Sequence, residues 1–404
     1  MLRSMYSGIS GMKNFQTKLD VIGNNIANVN TFGFKKGRVT FKDTMNQMVA
    51  GASAAGQDRG GKNPMQVGLG SALATIDTIH TGASLQSTGR ALDLGIDGDG
   101  YFVVKQGGME FYTRAGNFYL DDQGNLVNGD GLKVQAYKPG TNQYGDVAVN
   151  VNAVLPATKT ENITVGENLS ADAANGSTYT QQIKVVDEKG NEHKIDVHFK
   201  KKDGTTWEVF VNKDPEGKDA NGDPITSDGT ITFNADGTYN TTDVPDMDFD
   251  FDGDTTMDLN DVKFDFSKLT QNKGATTALV NPDGNTEGRL ESFNIGSMGE
   301  INGVYSNGQV TELGTLAIAK FSNSSGLQKA GNNLFQSSIN SGTPNVGQPG
   351  EGRGTIAPGS LEMSNVDLSE EFTEMIVTQR GFQANTRIIT TSDEILQELV
   401  NLKR

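Results

Sequence analysis

The sequence predicts a multidomain, mainly β protein whose two chain ends form an α-helical coiled coil, with one β-domain inserted inside another. Three observations predict it. Apolar heptads occupy both ends of the 404-residue chain and nothing between them. The middle alternates apolar and polar residues with a period of two, punctuated by Gly, Asn and Asp. The net charge of −16 is uneven: residues 156–284 hold 12 Lys and no Arg against 25 Asp and Glu, or −13, leaving −3 for the rest.

The N-terminal helix is read from Met5, Met12, Leu19 and Ile26, which recur every seven residues, flanked by Leu2, Ile9, Phe15, Ile22 and Val29. It should stop within Asn28–Gly33, where Asn and Gly tolerate the turn. Gly8, Gly11 and Gly23 weaken it by about 1 kcal/mol each relative to Ala. Residues 34–70 and 341–360, rich in Gly, Ala, Gln and Ser, read as linkers that order on assembly.

Strands are then expected at 92–96 and 101–104, joined as a hairpin by Asp97-Gly98-Asp99-Gly100, and at 118–120 and 126–127 around the turn 121–124. Residues 179–211 read as three strands. In the second, Ile195, Val197 and Phe199 alternate with Lys194, Asp196 and Lys200, giving one buried and one wet face. A further strand lies at 313–321.

The C-terminal helix carries Leu368, Met375, Phe382, Ile389 and Leu396 at seven-residue spacing, flanked by Phe372, Ile395, Leu399 and Leu402. Asp367 is placed to cap it, and Glu370 and Glu371 suit its first turn. One helix pair has one dry face. About a dozen buried apolar side chains, at roughly 1.5–3 kcal/mol each, oppose about 1–2 kcal/mol of backbone entropy for each of about 65 ordered residues. Such ends are expected to order fully when neighbouring copies cover them, as in a polymer subunit.

Composition excludes several chemistries. Without cysteine there are no disulfides, thiolate zinc sites, iron–sulfur clusters or thiol nucleophiles. The three histidines do not form a metal-binding set: His193 and His198 are five apart on one strand and face opposite ways. No phosphate-loop Lys-Ser/Thr follows the glycines at 95–100. No catalytic residue and no cofactor are expected. An acidic chain repels nucleic acid, and no apolar run approaches the ~18–20 residues that span a bilayer. The first 30 residues contain no apolar run of signal-peptide length.

Two features invite a function. Asp248, Asp250 and Asp252, followed by Gly253, copy the first half of an EF-hand loop, but Leu259 stands where the bidentate glutamate belongs. Weak calcium binding there, in a calcium-dependent adhesin-like surface module, is one reading; a solvated acidic loop is the other. Asn24, Asn25, Asn28 and Asn30 crowd the end of the first helix. Uncharged amides that both donate and accept suit bonding to neighbouring backbones in a crowded helical assembly.

The run from Leu19 to Lys35 resembles the N-terminal signature of the bacterial flagellar rod–hook protein family. Ser364–Ser369 and Met375–Asn385 resemble its C-terminal signature, and Asp97–Val104 its first β-domain. Gly23 in place of alanine, the long insertion and Gln379–Asn385 are closer to the members that build the curved hook than to those that build the straight distal rod. The resemblance implies an inner helical domain of 1–33 with 361–404, linkers at 34–70 and 359–360, a middle β-domain of 71–155 with 285–358, and an outer β-domain at 156–284. It implies export by the flagellar type III pathway, with Phe41 and Met45 as an export-gate motif. Partners would be further copies of the chain in a helical tube, the rod below, hook–filament junction proteins above, the hook cap during assembly, and the export gate.

Overall fold

The computed structural model describes residues 2–54, 60–141, 143–150, 153–218, 224–251 and 258–402, without the side chains of Leu2, Arg3 and Leu399. The chain divides into two compact units. Unit 1 comprises Met1–Asn150, Asn294–Asn302 and Glu312–Arg404; unit 2 comprises Val151–Phe293 and Gly303–Thr311.

In unit 1, α1 (Leu2–Ala27) and α2 (Leu368–Asn401) pack along one another. Asp367 caps α2, its carboxylate accepting from the Ser369 and Glu370 amides. After Ala27 the chain turns through 28–33. Gly33 ends the turn at φ +70°, where a Cβ would lie 2.5 Å from the Ala115 nitrogen, so no other residue fits.

The first segment expected as a linker is a β-ribbon. β1 (Gly37–Asp43) pairs antiparallel with β4 (Ser71–Thr78), and between them β2 (Asn46–Ala50) pairs with β3 (Met65–Gly68). All of β2 and β3 is exposed, so neither strand carries the inside–outside alternation by which strands are recognised. α1 rests on this ribbon, with Asn14 Nδ2 donating to Ser71 Oγ at 2.9 Å. The helices and the middle strands therefore form one unit, where the sequence divides them into two domains.

β5 (Leu85–Ser87) and β6 (Leu94–Asp97) pair with 360–362 and 355–358 from the far end of the chain. β7 (Tyr101–Gln106) pairs with β8 (Met109–Thr113), with 133–137 and with 318–320. The turn at 97–100 is thus a corner between two sheets and not the expected hairpin. Its reason is local: Gly100, at φ +145°, lets the backbone pass Ile318, whose Cγ2 would lie 2.4 Å from any Cβ. The core here contains Tyr101, Val103, Tyr112, Phe321 and Phe335, with Tyr112 edge-on to Phe321 at 4.8 Å.

Unit 2 contains a four-stranded and a five-stranded sheet sharing one apolar core. Its strands at 178–186, 192–201 and 206–211 are the three read from the sequence. Ile195, Val197 and Phe199 are fully buried, and Trp207 lies with them. Thr158 and Asn285 bridge, and Val154–Leu155 pair with Gly288–Arg289. The insert therefore enters and leaves through adjacent backbone.

Candidate functional site at the chain ends

Sequence reasoning places the chemistry of this protein at its ends, and the structure shows how they meet. Met5, Met12, Leu19 and Ile26 of α1, and Met375, Phe382, Ile389 and Leu396 of α2, are half-buried. Leu368 departs from this: at the first turn of α2 it is exposed. The second column of the α2 seam, seven residues apart, is Glu371, Thr378, Asn385 and Ser392. Glu371, Thr378 and Ser392 are buried there. Thr378 and Ser392 return their hydroxyls to carbonyls four residues back. A search for apolar periodicity cannot see such a column. The flanking residues it does find, Phe372, Ile395 and Leu402, face outward.

Two glycines lie where the helices approach most closely. A Cβ at Gly11 would lie 2.8 Å from Asn385 Oδ1, and one at Gly381 would lie 2.7 Å from the Phe15 ring; at Gly8 a Cβ would only touch the Asn385 carbonyl, at 3.4 Å. One of the residues that weaken α1 by propensity, Gly11, therefore also makes room for α2. Gly23 has open space around it.

The asparagines divide. Asn25 is buried and acts within the chain: its Nδ2 donates to the Gly37 carbonyl at 2.9 Å and to Glu371 Oε2 at 3.1 Å, while its Oδ1 accepts from the Gly37 amide at 2.9 Å. It bonds neighbouring backbone, as an amide should, but that of its own β1, and on α2 it bonds the Glu371 carboxylate. Asn28 folds its amide back onto the Asn24 carbonyl at 2.9 Å, and Asn24 itself is exposed. Around Asn25, Lys18 pairs with Glu374 and Lys36 with Glu370.

The most deeply buried charges were not visible in the sequence. Lys35 and Glu362 are each 1% exposed and Arg114 is 2% exposed. Lys35 Nζ meets Glu362 Oε1 at 2.6 Å and the Thr81 carbonyl at 2.8 Å; Arg114 meets Glu362 Oε2 at 3.1 Å and the Gly98 carbonyl at 2.9 Å. Burial lowers the Lys35 pKa, opposed by Glu362. Beside them His80 Nδ1 bonds the Tyr101 hydroxyl at 2.8 Å. Partners 327 residues apart leave no local pattern to read.

Phe41 lies on β1 with its ring edge-on to Phe15 at 6.2 Å, and Met45 is exposed just beyond. Asp248 accepts the Asp261 amide at 2.8 Å, Asp250 is exposed, and Asp252 lies outside the described residues. Among the described residues no group of three or more His, Asp or Glu side chains could hold a metal ion. His193 is paired with Asp187 at 3.0 Å and stacked on Phe251, and His198 bonds Thr180.

Away from the mutual seam the helices keep large apolar side chains in the open. Tyr6 is 70% exposed and Ile9 is exposed on α1; Phe372, Ile376, Val377 (61%) and Ile395 are exposed on α2, and Ile388, also exposed, borders the seam beside Gly8. At 100° per residue those of α2 form two columns flanking the face opposite the seam. No helix among the described residues is long and apolar enough to cross a membrane.

Comparison with known proteins explains these ends. The description "Flagella basal body rod protein" matches residues 5–35, and "Flagellar basal body rod FlgEFG protein C-terminal" matches 357–402. "Flagellar hook protein FlgE/F/G D1 domain" matches 95–170, and "Flagellar basal body protein FlaE D2 domain" matches 150–285. The chain is 38% identical to the flagellar hook protein FlgE of Treponema pallidum and 41% identical to that of Borreliella burgdorferi, each over 100% of both chains. It is 41% identical to the flagellar basal-body rod protein FlgG of Bacillus subtilis, also over 100% of both. The crystal structure of Helicobacter pylori flagellar hook protein FlgE2 superposes with a TM-score of 0.51 at 14% identity, covering 69% of this chain and 100% of that one, and shows the shared fold. With both terminal signatures, the first β-domain and the inserted domain matched in order, the chain belongs to the flagellar hook protein family, within the rod–hook proteins of the flagellum.

Proposed function

We infer that the chain is the structural subunit that polymerises into the flagellar hook, the curved tube that passes motor torque to the filament. The observation that carries this reading is the pair of open apolar columns on α2, with Tyr6 and Ile9 on α1. A two-helix pair that has already spent its seam still offers this surface to neighbours, and further copies of the same helices are its natural cover. The exposed ribbon of β2 and β3, with Met48, Val49, Met65 and Val67, needs the same cover, because a lone two-stranded hairpin is barely stable in water. The role is structural, with no catalytic residue. The subunit acts outside the cell after flagellar export, with Phe41 and Met45 as its gate motif, the rod beneath it, junction proteins above it and a cap during growth.

The full-length relative named as a rod protein keeps a distal rod subunit as the second reading. Electron microscopy of basal bodies from a strain lacking the gene decides between them. Complete rods without hooks are expected. Intact hooks overturn both readings, and rods lacking their distal part establish the second.

A further inference from the structure

The buried charges sit where three separate stretches of chain meet. Lys35 closes the N-terminal arm, Glu362 opens the C-terminal arm, and Arg114, Thr81 and Ala83 belong to the β framework between them. Glu362 uses both oxygens: Oε1 takes Lys35 Nζ at 2.6 Å and the Ala83 amide at 3.0 Å, and Oε2 takes Arg114 at 3.1 Å. The arms also brace each other directly. The Gly33 amide donates to the Glu362 carbonyl at 2.8 Å, and the Lys36 amide donates to Asn365 Oδ1 at 2.8 Å.

The charges do not balance piecewise. Two cations share one carboxylate in a site from which water is excluded. If the N-terminal arm docks without Glu362, the Lys35 and Arg114 cations face each other without a counter-charge, which a dry site opposes strongly. If Glu362 docks without Lys35, it loses a charge-assisted bond to one oxygen and the Gly33 amide that covers its backbone. Whatever Glu362 contributes to docking of the N-terminal arm, Lys35 must contribute equally to docking of the C-terminal arm, because the coupling is reciprocal.

We propose that Lys35, Arg114 and Glu362 form a charge latch that makes docking of each chain end onto the β framework conditional on the other. A chain that emerges N-terminus first therefore holds its first arm open until residue 362 arrives. The latch acts within one chain and does not depend on whether the assembled tube is hook or rod.

Hydrogen exchange of the full-length soluble protein, read peptide by peptide, tests this. Glu362→Gln keeps the shape and removes the charge. It is expected to speed exchange about tenfold or more in β1 (37–43), on the opposite arm, as well as at 360–362. Lys35→Gln is expected to loosen 355–362 in the same crosswise way. The neutral combination Lys35→Met, Arg114→Met and Glu362→Leu removes the imbalance and is expected to restore protection of both arms above that of Glu362→Gln. Strand 192–201 of unit 2 serves as the internal reference and stays protected throughout. The latch is overturned if each single variant loosens only its own arm, if the neutral combination leaves both arms as loose as Glu362→Gln, or if unit 2 loosens together with the ends.

Discussion

His80 shows how much of this protein's chemistry is settled by burial of single residues. Burial first, then the nearby cations Lys35, Lys329 and Arg114, lower its pKa to about 4. The imidazole is therefore neutral at ordinary pH, bonded to Tyr101 and edge-on to Phe335. In the unfolded chain it takes a proton near 6.5. Between about 6.5 and 4 the unfolded state binds the extra proton, so stability is complete above that window and falls as pH falls through it. At pH 5 the loss is on the order of 1–2 kcal/mol after screening by solvent. Urea unfolding of the native protein and of His80→Gln at pH 7 and pH 5 measures it. The native protein should lose more stability than the variant on acidification, and equal losses would remove His80 as the cause. Nothing in the sequence marks His80, Arg114 or Glu362, and Lys35 is marked only as the last residue of the N-terminal signature, since a buried charge is defined by partners that only the fold supplies. Asn25 was legible as an unusual residue for a helix, but that its partners are Gly37 and Glu371 was not.

At the scale of elements, periodic burial and the helix-end signals of Asp367 and Asn28–Gly33 are legible. The strands of unit 2 could be read because one face is dry and the other wet, as Ile195–Phe199 shows. The ribbon of β1–β4 could not, because β2 and β3 are exposed on both faces and β1 and β4 are only partly covered, without a strict alternation. The helices were legible in half their seam: Met375, Phe382 and Ile389 repeat as apolar residues, whereas Thr378, Asn385 and Ser392 repeat as polar ones. The glycines of α1 separate two effects that the sequence merges. Gly23 has open space around it, so Gly23→Ala should gain helix propensity alone and stabilise the helix pair by about 0.5–1 kcal/mol. Gly11→Ala gains the same propensity but drives a methyl to 2.8 Å from Asn385 Oδ1 and 3.0 Å from its Cγ. Crowding of that kind costs about 1–3 kcal/mol, so the sign should reverse. Thermal melting followed by the helical circular dichroism signal should move up for the first variant and down for the second. Two upward shifts would mean that the helices do not approach as closely as Asn385 indicates.

For the whole molecule, composition and connectivity make the sharpest statement. Most of the net charge lies in an insert whose two ends are held together, Thr158 to Asn285, by backbone pairing within unit 2. A short Gly-Ser link can therefore replace 159–284 without stretching the chain, because loop closure over a few residues costs little when the ends are already adjacent. The removed segment contributes nothing to the α1–α2 seam, to the open apolar columns or to the buried ion cluster, all of which lie in unit 1. The shortened protein should be exported, keep its helix pair and polymerise, giving tubes of smaller diameter if the acidic unit forms the outside of the assembly. The charge supports that placement, since an insert whose residues 156–284 carry −13 is better bathed in solvent than packed among copies of itself. Replacing Phe382 and Ile389 with Asp is the reverse experiment, leaving unit 2 whole and placing two charges against α1, where each unpaired buried charge costs several kcal/mol. Electron microscopy of both variants is expected to find thin tubes from the deletion and none from the double substitution. Tubes from the double-Asp chain would show that the paired ends are not what the polymer is built on, and failure of the deletion to assemble would assign unit 2 an essential part in subunit contacts.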